Sequence, residues 1–282
     1  MSSIAVWKVE TNQPLALTPI EFTPPVTTLD QASGRLPGGA YTTFRTYGSD
    51  NAHHVGAHLS RLAETTAMVQ PSVHLDLDRI RAATRQALAA GDGNEKRVRL
   101  TIDLEDQLGV LYIFTEPLKV PSAQQYNDGV GAISRRLDRH TPKAKLTTFI
   151  GVADQVRGEL TNGLNEVLMV DEQGRILEGI SSNFFGVKDH EIWTADKEVL
   201  SGITRSIVLE EAERAGLVVH LDALNLEEVY HLDEAFITSS SRAVLPLTRI
   251  DGKLIGQGKP GALTRLLMER YDQRIQAEIE LI

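Results

Sequence analysis

The chain has 282 residues, 41% apolar and 24% charged, a formal charge of −9 and no cysteine. That length suits two packed lobes or one large α/β domain, and the composition is that of an ordinary soluble globular protein. The acidic balance argues against a nucleic-acid partner, and the lack of cysteine excludes disulfides, thiolate metal sites and cysteine nucleophiles.

Met1-Ser2-Ser3 is followed by no signal pattern, and no apolar run approaches membrane length, so the expected setting is the cytoplasm. Ile4-Ala5-Val6-Trp7 reads as an edge strand, and the Pro24-Pro25 and Ser33-Gly34 stretches as loop. Residues 40–47 (AYTTFRTY) are β-branched and aromatic and predict a strand. In the run AHLSRLAETTAMV, Leu59, Leu62, Ala63 and Met68 fall at helical spacing with Arg61 off the apolar stripe. His53, His54 and His58 sit in no HExxH-type frame and are expected to be solvated, so no metal site is predicted. A second amphipathic helix covers 77–90, and RVRLTIDL and GVLYIFT are strands. Residues 118–128 lack helical periodicity and predict a connection between an N-terminal lobe, 1–117, and a C-terminal lobe, 129–282. In the second lobe VGAISRRL is a strand, and KAKLTTFIGVADQVRGEL is a loop turning into a helix with Phe149, Val152, Val156 and Leu160 on one side. LVVHL is a further strand, Asp251-Gly252 turns a hairpin, and GALTRLLMERYDQRIQAEI closes the chain as a helix. Adjacent hairpins mixed with helices favour α+β over a doubly wound parallel sheet.

The stretch from Glu166 to Leu217 carries most of the chemistry. Val167 to Val170 is a continuous apolar run, as in a strand buried on both faces, and Ile176-Leu177 begins a return strand that meets the lone acid Glu178. Residues 183–187 and 191–194 flank a turn and predict a second hairpin. Gly202-Ile203-Thr204 opens a helix whose first N–H groups form an anion site, although Thr204 serves equally as a cap. Glu178 suits a protonated pyridine nitrogen, or else pairs with Arg175. Lys145 suits a Schiff-base nucleophile, with Lys143 as its competitor and a solvated lysine as the plain alternative.

In combination these pieces are specific. P-x-x-K at Pro142–Lys145, EVLMVDEQGRILEGISSNFF, SGITR and AHLSRL resemble, in order and spacing, the class IV aminotransferases, pyridoxal phosphate enzymes of fold type IV. The resemblance implies a two-lobed α+β fold in which the C-terminal lobe carries the lysine and most cofactor contacts. It assigns Lys145 to the imine with pyridoxal 5'-phosphate, Glu178 to the pyridine nitrogen, and Arg61, Ile203, Thr204 and Ser240 to the phosphate. Tyr41, Arg99 and Ser241 fall at substrate-facing positions of the family. An aminotransferase working between an amine donor and a keto acid acceptor, as a homodimer, is the leading expectation. An aminodeoxychorismate-lyase-like enzyme and a non-catalytic binder are the alternatives. Phe149 and Ile150 stand where branched-chain enzymes place a tyrosine, Ser134-Arg135-Arg136 replaces their aromatic pocket signature, and no family-type strand is obvious before Gly38.

Overall fold

A computed structural model describes residues 4–10, 14–161 and 163–282, so the signal reading at Met1-Ser2-Ser3 lies outside the described residues. In chain order the elements are β1 (Ala5–Val9), β2 (Leu17–Pro19), α1 (Leu29–Ser33), β3 (Gly39–Tyr47), β4 (Asn51–His53), α2 (Val55–Val69), α3 (Leu77–Ala89), β5 (Lys96–Asp103) and β6 (Leu111–Pro117). Then come α4 (Ala123–Asp128), β7 (Val130–Arg136), α5 (Thr148–Arg157), β8 (Leu164–Val170), β9 (Ile176–Gly179), β10 (Ser182–Lys188) and β11 (Glu191–Trp193). The chain finishes with α6 (Ile203–Arg214), β12 (Val219–His220), β13 (Glu234–Ser239), β14 (Ala243–Ile250), β15 (Lys253–Leu254), α7 (Ala262–Glu278) and β16 (Ile279–Leu281).

These elements form two compact units, each discontinuous in sequence: Met1–Lys119 with Ala144–Val152 and Glu278–Ile282, and Val120–Lys143 with Ala153–Ala277. The segment carrying Lys145 therefore belongs to the first unit, although its flanks belong to the second.

The first unit is built on a seven-stranded sheet in the order β16-β4-β3-β5-β6-β1-β2. Strand side chains alternate between faces, and β6 shows the consequence: Leu111 and Ile113 join the core under α2 and α3, while Tyr112 and Phe114 join Val6 and Leu29 in the other. The second unit is a nine-stranded sheet in the order β12-β11-β10-β13-β14-β7-β8-β9, with β15 on β14. Because β10 also pairs with β9, through Ser182↔Gly179 and Asn183↔Glu178, the sheet closes into a ring. Most pairings are antiparallel; β7 is parallel to both β8 and β14. The architecture is α+β.

Several expectations from the sequence change here. Ile4-Ala5-Val6-Trp7 is no edge strand, because β1 lies between β6 and β2. The stretch around Ser33 contains α1, capped by Thr28, and residues 118–128 contain α4. Helix α5 stops at Arg157, before Leu160, and Val152 is exposed. The expected solvated histidines fail at His53 and His58, both of which are buried.

Candidate active site

In the first unit, the site is built around the start of β3. Residues 145–147 dock along it: Tyr41 N–H donates to the Lys145 carbonyl (2.9 Å), Thr147 N–H to the Gly39 carbonyl (2.9 Å), and Gly39 N–H to Thr147 Oγ1 (2.8 Å). The Lys145 N–H adds a longer bond to Thr65 Oγ1 of α2, at 3.4 Å. This backbone anchoring sets the lysine's direction, and its Nζ lies 4.7 Å from the centroid of the Tyr41 ring. Lys143, the competitor, is exposed and donates to the Asp196 carbonyl at 2.8 Å within the second unit.

Tyr41 and Thr42 point to opposite faces of β3, so Thr42 turns toward α2. Its Oγ1 accepts from Arg61 Nη2 (3.1 Å) and shares a second hydrogen bond with His58 Nδ1 (2.9 Å). His58 and Arg61 share a helix face at i, i+3, and Thr42 joins them. Burial holds the His58 pKa well below the usual imidazole value, and the positive charges of Arg61 and Lys145 add to the effect. The imidazole is therefore neutral, and its Nδ1 shares one hydrogen bond with Thr42 Oγ1. Arg99 is fully buried and its guanidinium is committed to α1: Nη2 pairs with Asp30 (2.5 Å), and Nη1 donates to Ser33 Oγ (2.7 Å) and the Leu29 carbonyl (3.2 Å). It reaches the site through Tyr41, whose ring its Cζ overlies at 5.2 Å.

In the second unit, Glu178 is buried on β9 with 2% exposure. Its Oε2 accepts from Asn183 Nδ2 and from the Leu200 N–H, each at 3.1 Å, and its Oε1 faces Arg139 Nε at 3.3 Å. The possible Arg175 partner is engaged instead with Asp171 and Glu198. Asn183 ties this carboxylate to the start of α6: its Nδ2 also donates to the Leu200 carbonyl, and a Cβ on Gly202 would run into its Oδ1. Gly202 caps α6 without a side-chain hydrogen bond, so Ile203 and Thr204 stand in a first turn whose N–H groups have no intrahelical partners. Asn183 is opposite Thr238 across the β10–β13 pairing, and Thr238 Oγ1 is buried with no hydrogen-bond partner among the described residues.

Two residues on, Ser240 and Ser241 occupy the half-buried turn between β13 and β14. Arg242 fixes that turn. It donates to Glu166 Oε2 (2.7 Å), Asn165 Oδ1 (2.9 Å) and Ser181 Oγ (2.9 Å), while Ser182 Oγ donates to the same Glu166 oxygen at 2.7 Å.

Each unit thus gathers part of the expected set: Lys145, Arg61 and Tyr41, with Arg99 behind them, in the first; Glu178, Ile203, Thr204, Ser240 and Ser241 in the second. Sequence reasoning assigned no role to Thr42, His58, Arg139, Asn183, Thr238 or Arg242. Asn183 and His58 stood inside the recognised motifs, and that position was the available signal for both.

Taken separately, each unit's donors fit part of a phosphorylated pyridine aldehyde: in the first, an amine and a guanidinium; in the second, a buried carboxylate, an uncapped helix start and a buried hydroxyl with no partner among the described residues.

The profile of the family described as amino-transferase class IV matches residues 39–250. The branched-chain-amino-acid aminotransferase of Pseudomonas aeruginosa is 25% identical over 243 residues, covering 79% of this chain and 78% of that protein. The D-alanine aminotransferase of Bacillus licheniformis is 34% identical over 170 residues, 58% of this chain and 59% of that one. Among solved structures, the T.th. branched-chain amino acid aminotransferase complexed with N-(5'-phosphopyridoxyl)-L-glutamate superposes with a TM-score of 0.79 at 19% identity, covering 98% of each chain. At that identity the likeness establishes the fold.

Proposed function

The chain belongs to the class IV aminotransferase family, and from that premise we propose how its residues divide the work of a pyridoxal-phosphate-dependent aminotransferase. The enzyme moves an amino group from an amino acid to a 2-keto acid, in keeping with relatives that carry branched-chain and D-alanine aminotransferase names. When bound, the cofactor supplies an aldehyde carbon for imine exchange and a ring that takes up the electron pair left when substrate Cα loses a proton.

Lys145 is the catalytic residue. Its Nζ would hold the cofactor at the aldehyde carbon, and as a free amine it would carry the proton taken from substrate Cα. The docking of 145–147 on β3 supports this reading, since backbone bonds on both sides restrict where Nζ can travel. Glu178 keeps a proton on the pyridine nitrogen. Asn183 and the Leu200 N–H fix one of its oxygens, which orients the other. Arg61, the Ile203 and Thr204 amides and Ser240 bind the phosphate; a guanidinium and convergent N–H donors let an acidic protein hold a dianion. Tyr41 and Ser241 face the substrate, and Arg99 acts there by bracing Tyr41. The protein works as a cytoplasmic homodimer, which rests on the family resemblance and the cysteine-free sequence.

The single observation that carries the reading is the fixed carboxylate of Glu178, tied through Asn183 to an uncapped helix start. The test is a half-reaction with the Glu178→Gln variant. It is expected to bind cofactor yet lose about 10²-fold or more of the rate at which an amino acid converts the bound cofactor to its amine form. A wild-type rate would remove Glu178 from the mechanism. Borohydride reduction followed by peptide mapping is expected to label Lys145, and a label at Lys143 would move the attachment site. Light scattering checks the dimer.

A further inference from the structure

At the sheet edge of the first unit, His53, His54 and Glu278 converge, and they form the one group of this kind among the described residues. Glu278 Oε2 lies 3.0 Å from His54 Nε2 and 3.5 Å from His53 Nε2, and the ligand atoms of all three side chains fall within 4.8 Å of one another. None of these residues takes part in the function derived above.

Two consecutive residues of a strand ordinarily point to opposite faces and cannot share a ligand. Here His53 ends β4, and His54 takes a left-handed backbone (φ 52°, ψ 42°), which swings its ring to the same side as its neighbour. The ring centroids come within 4.1 Å in an edge-on arrangement. The carboxylate arrives from the last residue of α7, directly before β16, whose Ile279 pairs with His53. His53 is buried and acts as the fixed ligand, whereas His54 and Glu278 are about one-third exposed, which gives an ion a path in. Glu280 is not a fourth ligand: its carboxylate accepts from the Val55 N–H and pairs with Arg81.

We propose that His53, His54 and Glu278 bind a zinc ion, with water in the fourth position. Zinc bonds of about 2.0–2.1 Å in a tetrahedron place neighbouring ligand atoms roughly 3.3 Å apart, close to both spacings found here. Two imidazoles and one carboxylate suit zinc and its late first-row neighbours, not magnesium or calcium, which require mostly oxygen ligands. The ion would join β4, the start of α2 and the C-terminal strand at one point, so its effect is to pin β16 in place. This proposal does not depend on the aminotransferase reading.

The experiment uses the full chain with cofactor bound, stripped of metal by a chelator and titrated calorimetrically with zinc chloride. One saturable zinc per chain is expected, with a rise in Tm that grows with zinc concentration and none with magnesium. H54Q and E278Q, both partly exposed and outside the catalytic set, are expected to weaken zinc affinity by about 10–100-fold or more while keeping amino-transfer unchanged. Cobalt in place of zinc should give a tetrahedral visible spectrum, and hydrogen exchange of the β16 amides should slow on zinc binding. The absence of saturable uptake by the wild type, or equal affinity in the wild type and both variants, would overturn the site.

Discussion

Arg99 illustrates how much a single side chain's partners decide. It is a buried cation whose compensation is almost wholly Asp30, with Ser33 and a carbonyl completing the shell. Removing one member of a buried pair leaves an uncompensated charge, so Asp30→Ala is expected to lower stability by about 3–5 kcal/mol, measured by urea unfolding. His58 is the opposite case, a titratable group kept neutral. Its folded-state pKa is depressed, so in acid the unfolded chain binds more protons than the native one. Its contribution to stability is complete above the ordinary imidazole pKa of about 6.5 and is lost as pH falls below that toward the folded value. Tm of the cofactor-free protein should therefore drop below about pH 6.5. His58→Asn, which can still hydrogen-bond with Thr42, should flatten that slope, and an unchanged profile would assign the acid loss to other groups.

Among the elements, α6 shows how a helix start is adapted to a ligand. A side-chain cap would consume the N–H groups that an anion needs, and Gly202 offers none. Gly202→Ala would drive a Cβ into Asn183 Oδ1, disturbing both the helix start and the Glu178 contact. A loss of cofactor affinity of about tenfold or more is expected, read by absorbance titration, because a few ångströms at a helix terminus remove most of its favourable field. Gly151 in α5 is the control, since a Cβ there meets nothing within 4 Å and Gly151→Ala should add about 0.5–1 kcal/mol. Elements such as β8, β10 and the opening of α6 were legible in the sequence because their signals are local: an apolar run, a turn, a glycine before an amphipathic pattern. Strand β1 was misjudged because centre or edge depends on partners far along the chain. The helix at 123–128 did have a signal: Ser122 and Gln125 form a capping box, short enough to be masked by the surrounding polar residues. Thr42 with His58, and Arg242 with Glu166, join residues distant in sequence, which no motif spacing expresses.

At the scale of the whole molecule, sequence suggested two lobes divided once, whereas the compact units are interleaved. The lysine segment and the last five residues return to the first unit. Protease nicking in the exposed stretch around Lys119 should therefore give fragments that co-elute on size exclusion, because residues 144–152 stay docked on β3. Separation into two free folded pieces would contradict that. The ring of strands in the second unit also bears on synthesis. Val130 of β7 pairs with Leu247 of β14, so a ribosome must deliver nearly the whole unit before that seam can be made. Until then the nascent polypeptide presents one edge of β7 with unmatched backbone, since β8 already lies between β7 and β9. The lysine loop docks on the start of β3, whose partner β5 precedes the loop in the chain, so that pairing has no need of β14.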